Sequence, residues 1–540
     1  MKGLILFPHT NTSAPRSEGD LTGGRRRSAW WIVIVVCIGV LTGINIYRAA
    51  TQSITHDEAV TYQRYASGPL YQFISSSDAN NHVLHSLLCR LAVSVLGPLE
   101  IAVRAPSLIG GVLFLVMIAR VAWRVWGAST TPVLAVLVLG LSPFVMDYLS
   151  IARGYSLALG LWVAALDQLL AIVLASPHAR AQSNVVYWDP AVRRASRLLA
   201  LALLANLTFF PAAVGLAVCW AAWARRARRR TLVETPREFR RWLWRCLVRP
   251  GAIVFASMAL AFVKLRPRQF YYGANTFAES LRSLVYPSFA HHPQAWPWNN
   301  QVPWFTSCVD GIALVLVPAL GLGLIALWVF AARRLYRLEP DDGGCASPAL
   351  WLFYLSAGTL CLALIQVMAL HALGMKLPLE RTGLLFLPPF FLALLASGSA
   401  FSALRNVRPV IATGVFLLCV VWGVQVQTDH YRPWIYDSDS RAVFRQIVVQ
   451  HQLAPKLRLR VGATWLLAPA LNFYRDAFNA DFVQRIARQD RYPEDTDLYV
   501  IAAPQYGGVP PDEPVVEVYR GPHSGTVVAL PARRTPTSRP

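Results

Sequence analysis

Charge is scarce in this 540-residue chain and negative charge scarcer still: 29 Asp and Glu stand against 51 Lys and Arg, and charged residues make up 15% of the total. Too few charged side chains remain to clothe a water-facing surface, and the mean hydropathy of +0.40 excludes a soluble globular domain. Cysteine is sparse and scattered, at Cys37, Cys89, Cys219, Cys246, Cys308, Cys345, Cys361 and Cys419. No two have metal-ligand spacing, which argues against a zinc cluster. Only Cys89 and Cys308 fall near the face read below as outer, so one disulfide is allowed and none is required. The chain also lacks a nucleotide-phosphate loop.

What is abundant is apolar sequence in long runs: 55% of residues are hydrophobic. Runs long enough to cross about 30 Å of hydrocarbon lie at residues 30–46, 105–126, 131–149, 154–174, 251–265, 311–331, 349–370, 383–400 and 410–426. The stretch 198–223 is interrupted by Asn206 and Pro211 and reads as two short helices in a hairpin. The expected fold is therefore an α-helical polytopic membrane protein of about eleven transmembrane helices. Residues 1–24 are polar after a short apolar start, and no small-residue cleavage site follows the first run, which is expected to stay as an anchor.

Arginine and lysine are retained on the cytoplasmic side of short loops. Arg25, Arg26 and Arg27 precede the first run and place the N-terminus inside. Arg120 and Arg124, Arg193, Arg194 and Arg197, Arg333 and Arg334, and Arg405 and Arg408 fall in the loops this orientation makes cytoplasmic, as does the arginine-dense stretch 225–249. The net charge of +22 is thus read as topology signals and attraction to anionic headgroups, and nucleic acid is not an expected partner. Three parts follow: a cytoplasmic tail over 1–28, a membrane region over 29–427 with a large outer loop at 47–104, and an outer region over 428–540. In the last, a helical stretch at 440–451 precedes strand-like runs at 457–461, 498–502, 515–519 and 526–530. That pattern predicts a small α/β unit in an accessory role, contacting an acceptor or capping a site.

The chemistry-bearing residues gather in the outer segments. Asp57 and Glu58 stand where the first span has just emerged, and an acid kept at such a place is either solvated or functional. His82 and His85 share the polar side of an otherwise apolar helical pattern over 80–91, expected to lie along the membrane surface. Residues 266–305 are rich in aromatics and amides, among them Phe270, Tyr271, Tyr272, Asn275, Trp296, Trp298 and Trp304, which suit either a headgroup belt or sugar stacking.

Four elements in this order resemble the GT-C glycosyltransferases, in the protein O-mannosyltransferase and aminoarabinose transferase-like branch. They are His56-Asp57-Glu58-Ala59; Asn80-Asn81-His82-Val83-Leu84 followed by Gly97-Pro98-Leu99-Glu100 and Arg104-Ala105-Pro106-Ser107; Pro143 with Ala152-Arg153-Gly154-Tyr155; and Glu380-Arg381-Thr382-Gly383 with Pro388-Pro389. Val83 departs from the related motif, which often has proline there. The resemblance implies transfer of a sugar from a polyprenyl-phosphate donor to a protein, lipid or glycan acceptor at the outer face of a bacterial inner membrane, with inversion. It implies a carboxylate base, Asp57; Glu58 as an assistant or a ligand of a divalent metal ion, to which His82 could add a ligand; and Asp147 as a second acid, whose plain alternative is an interfacial acid paired with Arg153. Arg153 and Arg381 are expected to hold the donor phosphate, because guanidinium offers paired donors and stays charged beside lipid. His82, His85 and Lys376 are further phosphate contacts, with Arg266 and Arg268 in reserve. A transporter or flippase, and a non-catalytic factor in envelope-polysaccharide assembly, remain as alternatives.

Overall fold

The apolar runs become helices in the computed structural model of the chain, which describes residues 18–75, 81–174, 188–231, 236–252, 256, 272–289, 303–337 and 346–532. The helices that matter for the site are α1 (Glu18–Thr51), α2 (His56–Thr61), α3 (Val83–Leu96), α4 (Glu100–Trp126), α5 (Thr130–Leu141), α6 (Pro143–Ser150), α7 (Tyr155–Leu174), α8 (Trp188–Ala205) and α9 (Phe210–Thr231). After these come α10 (Phe277–Phe289), α11 (Val317–Arg337), α12 (Pro348–Ala372), α13 (Leu387–Ala400) and α14 (Arg408–Val424). Among the described residues eight helices are long and apolar enough to cross a membrane, or nine if the bent pair α5–α6 is one span.

That number falls short of about eleven for two reasons. The run at 251–265 lies almost wholly outside the described residues. The run at 198–223 does break at Asn206, whose side chain accepts from the Thr208 N–H at 3.0 Å and caps the next turn. Its first half, however, belongs to α8, which carries Asp189, Arg193, Arg194 and Arg197 and is too polar to count as a span. The run at 131–149 is also not one helix: α5 and α6 meet at 71°. Pro143 has no N–H for the preceding turn, so the helix ends at Leu141 and restarts with proline in its first turn.

Close packing of α4 against α7 forms the centre of the membrane region. A side-chain carbon on Gly110 would lie 2.4 Å from the Leu157 backbone nitrogen, and one on Gly160 would lie 2.8 Å from the Gly110 carbonyl oxygen. Small residues let two helix backbones touch, and dispersion and packing replace the hydrophobic drive that lipid removes. At one end of this pair Arg120 and Arg124 of α4 bind the buried Asp167 of α7 at 3.0 and 2.6 Å. At the other end the C-terminus of α1, the N-terminus of α4, the α6–α7 turn and the N-terminal approach to α13 converge, and there the expected site residues meet.

Beyond α14, helices α15 (Ser440–Leu453) and α16 (Ala468–Ala477) pack with strands β1 (Val461–Ala463), β2 (Leu498–Ile501), β3 (Val515–Arg520) and β4 (Val527–Pro531). The sheet order is β1-β2-β4-β3, with β1 and β2 parallel and the other pairs antiparallel. Its apolar core is continuous with Ile54, Ala59 and Tyr62 of the outer loop, so sheet and loop are one packed body.

Gly110→Val should force α4 and α7 apart, at a cost of about 1–3 kcal/mol. A thermal-melting series in detergent is expected to rank wild type above Gly110→Ala and that above Gly110→Val; an unchanged melting temperature for the valine would remove the close contact.

Candidate functional site

Four segments meet around Asp57. Thr55 caps α2 and Glu58 completes the capping box: the Thr55 N–H donates to Glu58 Oε2 at 2.9 Å. Successive helical residues point about 100° apart, so the two acids of the pair face different ways. Asp57 is the one that keeps some access, with 15% of its side chain exposed. Glu58 is fully buried.

Glu58 is a structural anchor. Arg104 of α4 grips it through Nε at 2.9 Å and Nη2 at 2.7 Å, and the Ala152 N–H donates to Oε1 at 2.8 Å. The remaining Arg104 donors go to the carbonyl oxygens of Ala49, Gln52 and Ser53 at 3.1, 2.8 and 2.7 Å. Burial alone would raise the Glu58 carboxyl, but the Arg104 charge and hydrogen bonds and the two backbone donors outweigh it and hold it below its ordinary value. With both oxygens engaged, Glu58 is not positioned to ligate a metal as expected, and among the described residues no three His, Cys, Asp or Glu side chains gather at metal-ligand spacing.

Asp147 is likewise engaged elsewhere. It forms a buried ion pair with Arg48 of α1, and its Oδ2 accepts from the Arg432 N–H at 3.3 Å. The partner expected from sequence was Arg153, which instead reaches Asp57, Nη1 to Oδ2, at 3.2 Å. Arg381 Nη1 approaches the same oxygen at 3.9 Å. Two guanidiniums thus flank one accessible carboxylate.

Each arginine is held by its surroundings. Arg153 sits in the α6–α7 turn, followed by Gly154 with φ +70°, where a side-chain carbon would lie 2.2 Å from the Ala205 carbonyl oxygen. Only glycine tolerates both demands. Arg381 lies 4.3 Å over the Tyr272 ring and 5.9 Å from that of Trp434, while Tyr272 donates to Glu380 at 2.6 Å. Tyr272, half-buried, is the platform of a cation; Phe270, Tyr271, Trp296, Trp298, Arg266 and Arg268 lie outside the described residues, as does Asn80.

The two histidines part company. His82 immediately precedes α3, its ring 6.0 Å from Tyr155, and its buried Nε2 has no hydrogen-bond partner among the described residues. Burial first, then the Arg153 charge, pushes its pKa well below the ordinary value, so it is neutral. His85 turns inward, not onto a polar outer side, and pairs with Ser107 at 3.0 Å; burial depresses it to about 3. Lys376 is exposed on the loop before Arg381 and makes no described ion pair.

Tyr431, Tyr148, Trp434 and Asp437, which the sequence reading passed over, complete the site with Tyr155 and His56 of the motifs. Tyr431 lies between two buried arginines, 4.9 Å from Arg48 and 5.0 Å from Arg104. The rings of Tyr155, Tyr148 and Trp434 follow one another at 5.0 and 6.0 Å. Asp437 accepts from the His56 N–H at 2.6 Å, and burial, with the charges of Asp57 and Glu58, raises it well above the ordinary carboxyl value. His56 itself donates from Nδ1 to the Leu466 carbonyl at 2.6 Å and accepts from Arg488 at Nε2 at 3.0 Å, which fixes one neutral tautomer. The Ile54 N–H donates to Tyr474 Oη at 2.8 Å, and Ser53 Oγ to the Ser438 carbonyl at 2.6 Å. Residues 53–58 are clamped from the C-terminal side as well as by Arg104.

No family model and no curated protein matches this chain. Solved structures similar to it include two crystal structures of ArnT from Cupriavidus metallidurans. The one bound to undecaprenyl phosphate is 15% identical, with a TM-score of 0.43 over 92% of this chain and 97% of that one. The one in the apo state is 13% identical, with a TM-score of 0.42 over 93% and 98%.

Glu58→Gln, which strands Arg104 as an uncompensated buried cation, should cost about 3–5 kcal/mol of stability, whereas Asp57→Asn should melt near wild type. Because Glu58 is depressed in the folded state, its contribution is complete above its unfolded value of about 4.5 and is lost as pH falls below that. Melting of wild type and Glu58→Gln between pH 4 and pH 7 should therefore converge toward the acid end; parallel curves would contradict the assignment.

Proposed function

We propose that this chain is an integral-membrane glycosyltransferase of GT-C type that moves a sugar from a polyprenyl-phosphate donor to an acceptor hydroxyl in the cell envelope, at the outer face of the inner membrane, with the N-terminus cytoplasmic and the C-terminal unit outside. The observation that carries this reading is the placement of Arg153 and Arg381 on either side of Asp57, at the end of the helices opposite Arg120 and Arg124.

The donor's phosphate requires fixed positive charge and paired donors, which two guanidiniums supply and water supplies less well in a partly buried site. His82, neutral and with Nε2 unpartnered among the described residues, adds a donor or acceptor beside Arg153. As phosphate oxygens take up guanidinium contacts, Asp57 gives up part of its ion pairing and its carboxylate becomes available as a base. Asp57 accepts the proton of the acceptor hydroxyl while that oxygen forms a bond to the anomeric carbon. The bond from that carbon to the phosphate oxygen breaks, and its electron pair leaves with the phosphate, whose charge Arg153 and Arg381 balance. Attack opposite the departing phosphate inverts the anomeric centre. No step requires a metal ion, and Glu58 and Asp147 serve by holding the turns that carry Asp57 and Arg153.

Turnover of a labelled polyprenyl-phosphate sugar by the full chain in lipid discs tests this directly. Asp57→Asn should lower kcat by about 100- to 10,000-fold. Arg153→Gln and Arg381→Gln should each also weaken binding of the lipid phosphate, by roughly tenfold or more. Equal turnover by wild type and Asp57→Asn would exclude the base, and absence of turnover with every donor would return the transporter and assembly-factor readings.

A further inference from the structure

A second cleft opens between the C-terminal end of α2 and α16. It encloses about 350 Å³ between the outer loop and the C-terminal unit, and its polar lining comes from Gln63, Arg64, Asn472, Arg485 and Arg488, with no carboxylate among the lining residues. Its volume is within the usual range for small-molecule sites. The three arginines are themselves exposed, and the walls that carry them are fixed by hydrogen bonds. Asn472 of α16 pairs with the backbone of Ile486 in both directions, accepting from its N–H at 2.9 Å and donating to its carbonyl at 2.8 Å, and so fixes the segment that bears Arg485 and Arg488. Gln63 donates to the Pro469 carbonyl at 2.8 Å and joins the opposite wall to α16. Among the described residues neither Arg485 nor Arg488 forms an ion pair with a carboxylate, and Asp476 and Asp481 are bound instead by Arg475.

The cleft communicates with Asp57 through one side chain. Arg488 donates to His56 Nε2 at 3.0 Å, and its guanidinium stands 5.3 Å from the ring of Trp465, which packs edge-on to His56 at 5.7 Å. Trp465 is 44% exposed and adjoins the cleft through Arg488 without lining it. An aromatic face beside guanidiniums fits a sugar ring that carries an acid: the ring surface packs on the indole, and the carboxylate or phosphate takes the paired donors.

We propose that this cleft binds an acidic glycan, and that it is the acceptor subsite of the reaction proposed above, on which this assignment rests. A carboxylate- or phosphate-bearing sugar seated at Arg64 and Arg485, with its edge toward Trp465 beside Arg488, places the neighbouring residue of the acceptor toward His56 and Asp57. The donor, held by Arg153 and Arg381, approaches from the membrane side. The two substrates then reach Asp57 from different directions, as attack opposite the leaving group demands.

Titration calorimetry on the full chain in phosphatidylcholine discs, with trigalacturonic acid as the probe, tests the cleft without requiring turnover. Wild type is expected to bind the probe more weakly as salt rises and to ignore neutral maltotriose. Arg64→Gln with Arg485→Gln should weaken binding about tenfold or more, while Arg485→Lys, which keeps the charge, should retain part of it. Equal affinity in wild type and the double glutamine variant would overturn the proposal. So would full competition by inorganic phosphate with no preference for the sugar, or loss of binding when phosphatidylglycerol is included, which would make the cleft a simple anion or headgroup site. Undecaprenyl phosphate is titrated into the same samples. Carrier binding without glycan binding would overturn the cleft and leave the transferase reading intact; Arg485-dependent glycan binding without turnover from any donor would uphold the glycan site and remove the reaction.

Discussion

The geometry around Asp57 depends on the buried pair of Glu58 and Arg104. Arg104 fastens the end of α1, the capped start of α2 and the N-terminal part of α4, and Glu58 adds the α6–α7 turn through the Ala152 N–H. One residue before Glu58 stands Asp57, and one after Ala152 stands Arg153. The 3.2 Å contact between those two is thus set by a neighbouring interaction that itself touches no ligand. Charges taken so far out of water persist only when every donor and acceptor is matched, and this pair is matched almost completely by backbone. Its rigidity follows from that.

A second layer supports the first from across the chain. Tyr431 spreads its ring against both Arg48 and Arg104, and Arg48 in turn binds Asp147. Asp437, Leu466, Tyr474 and Arg488 hold residues 54–56 from the C-terminal side. The C-terminal unit is therefore part of the site's frame, and its placement over α2 creates the arginine-lined cleft. The neutral states of His56, His82 and His85, each depressed chiefly by burial, leave arginine as the source of positive charge near Asp57.

Much of this could be read from the order of residues. Long apolar runs gave the spans, and Pro143, Asn206 and Gly154 marked breaks or turns because each has a local backbone consequence. The motifs brought together Asp57, Arg153 and Arg381. What could not be read was the division of labour within them. Adjacent acids on a helix face different directions, and nothing local says which one meets Arg104, 46 positions away. Asp147 met Arg48 in place of Arg153 for the same reason: partners far apart in sequence leave no periodic signal. Tyr431, Trp434 and Asp437 lie just past the last span, in a stretch with no catalytic spacing, and matter only because the chain folds back. The polar character of α8 was hidden by an apolar run that covers only its second half.

In the proposed reaction Arg153 and Arg381 grip one lipid phosphate beside Asp57. An electron cryo-microscopy structure of the full chain with undecaprenyl phosphate measures this most directly. Phosphate density is expected in contact with both guanidiniums, with the Glu58–Arg104 pair unmoved. Density held elsewhere, with Asp57, Arg153 and Arg381 still closed on one another, would contradict it.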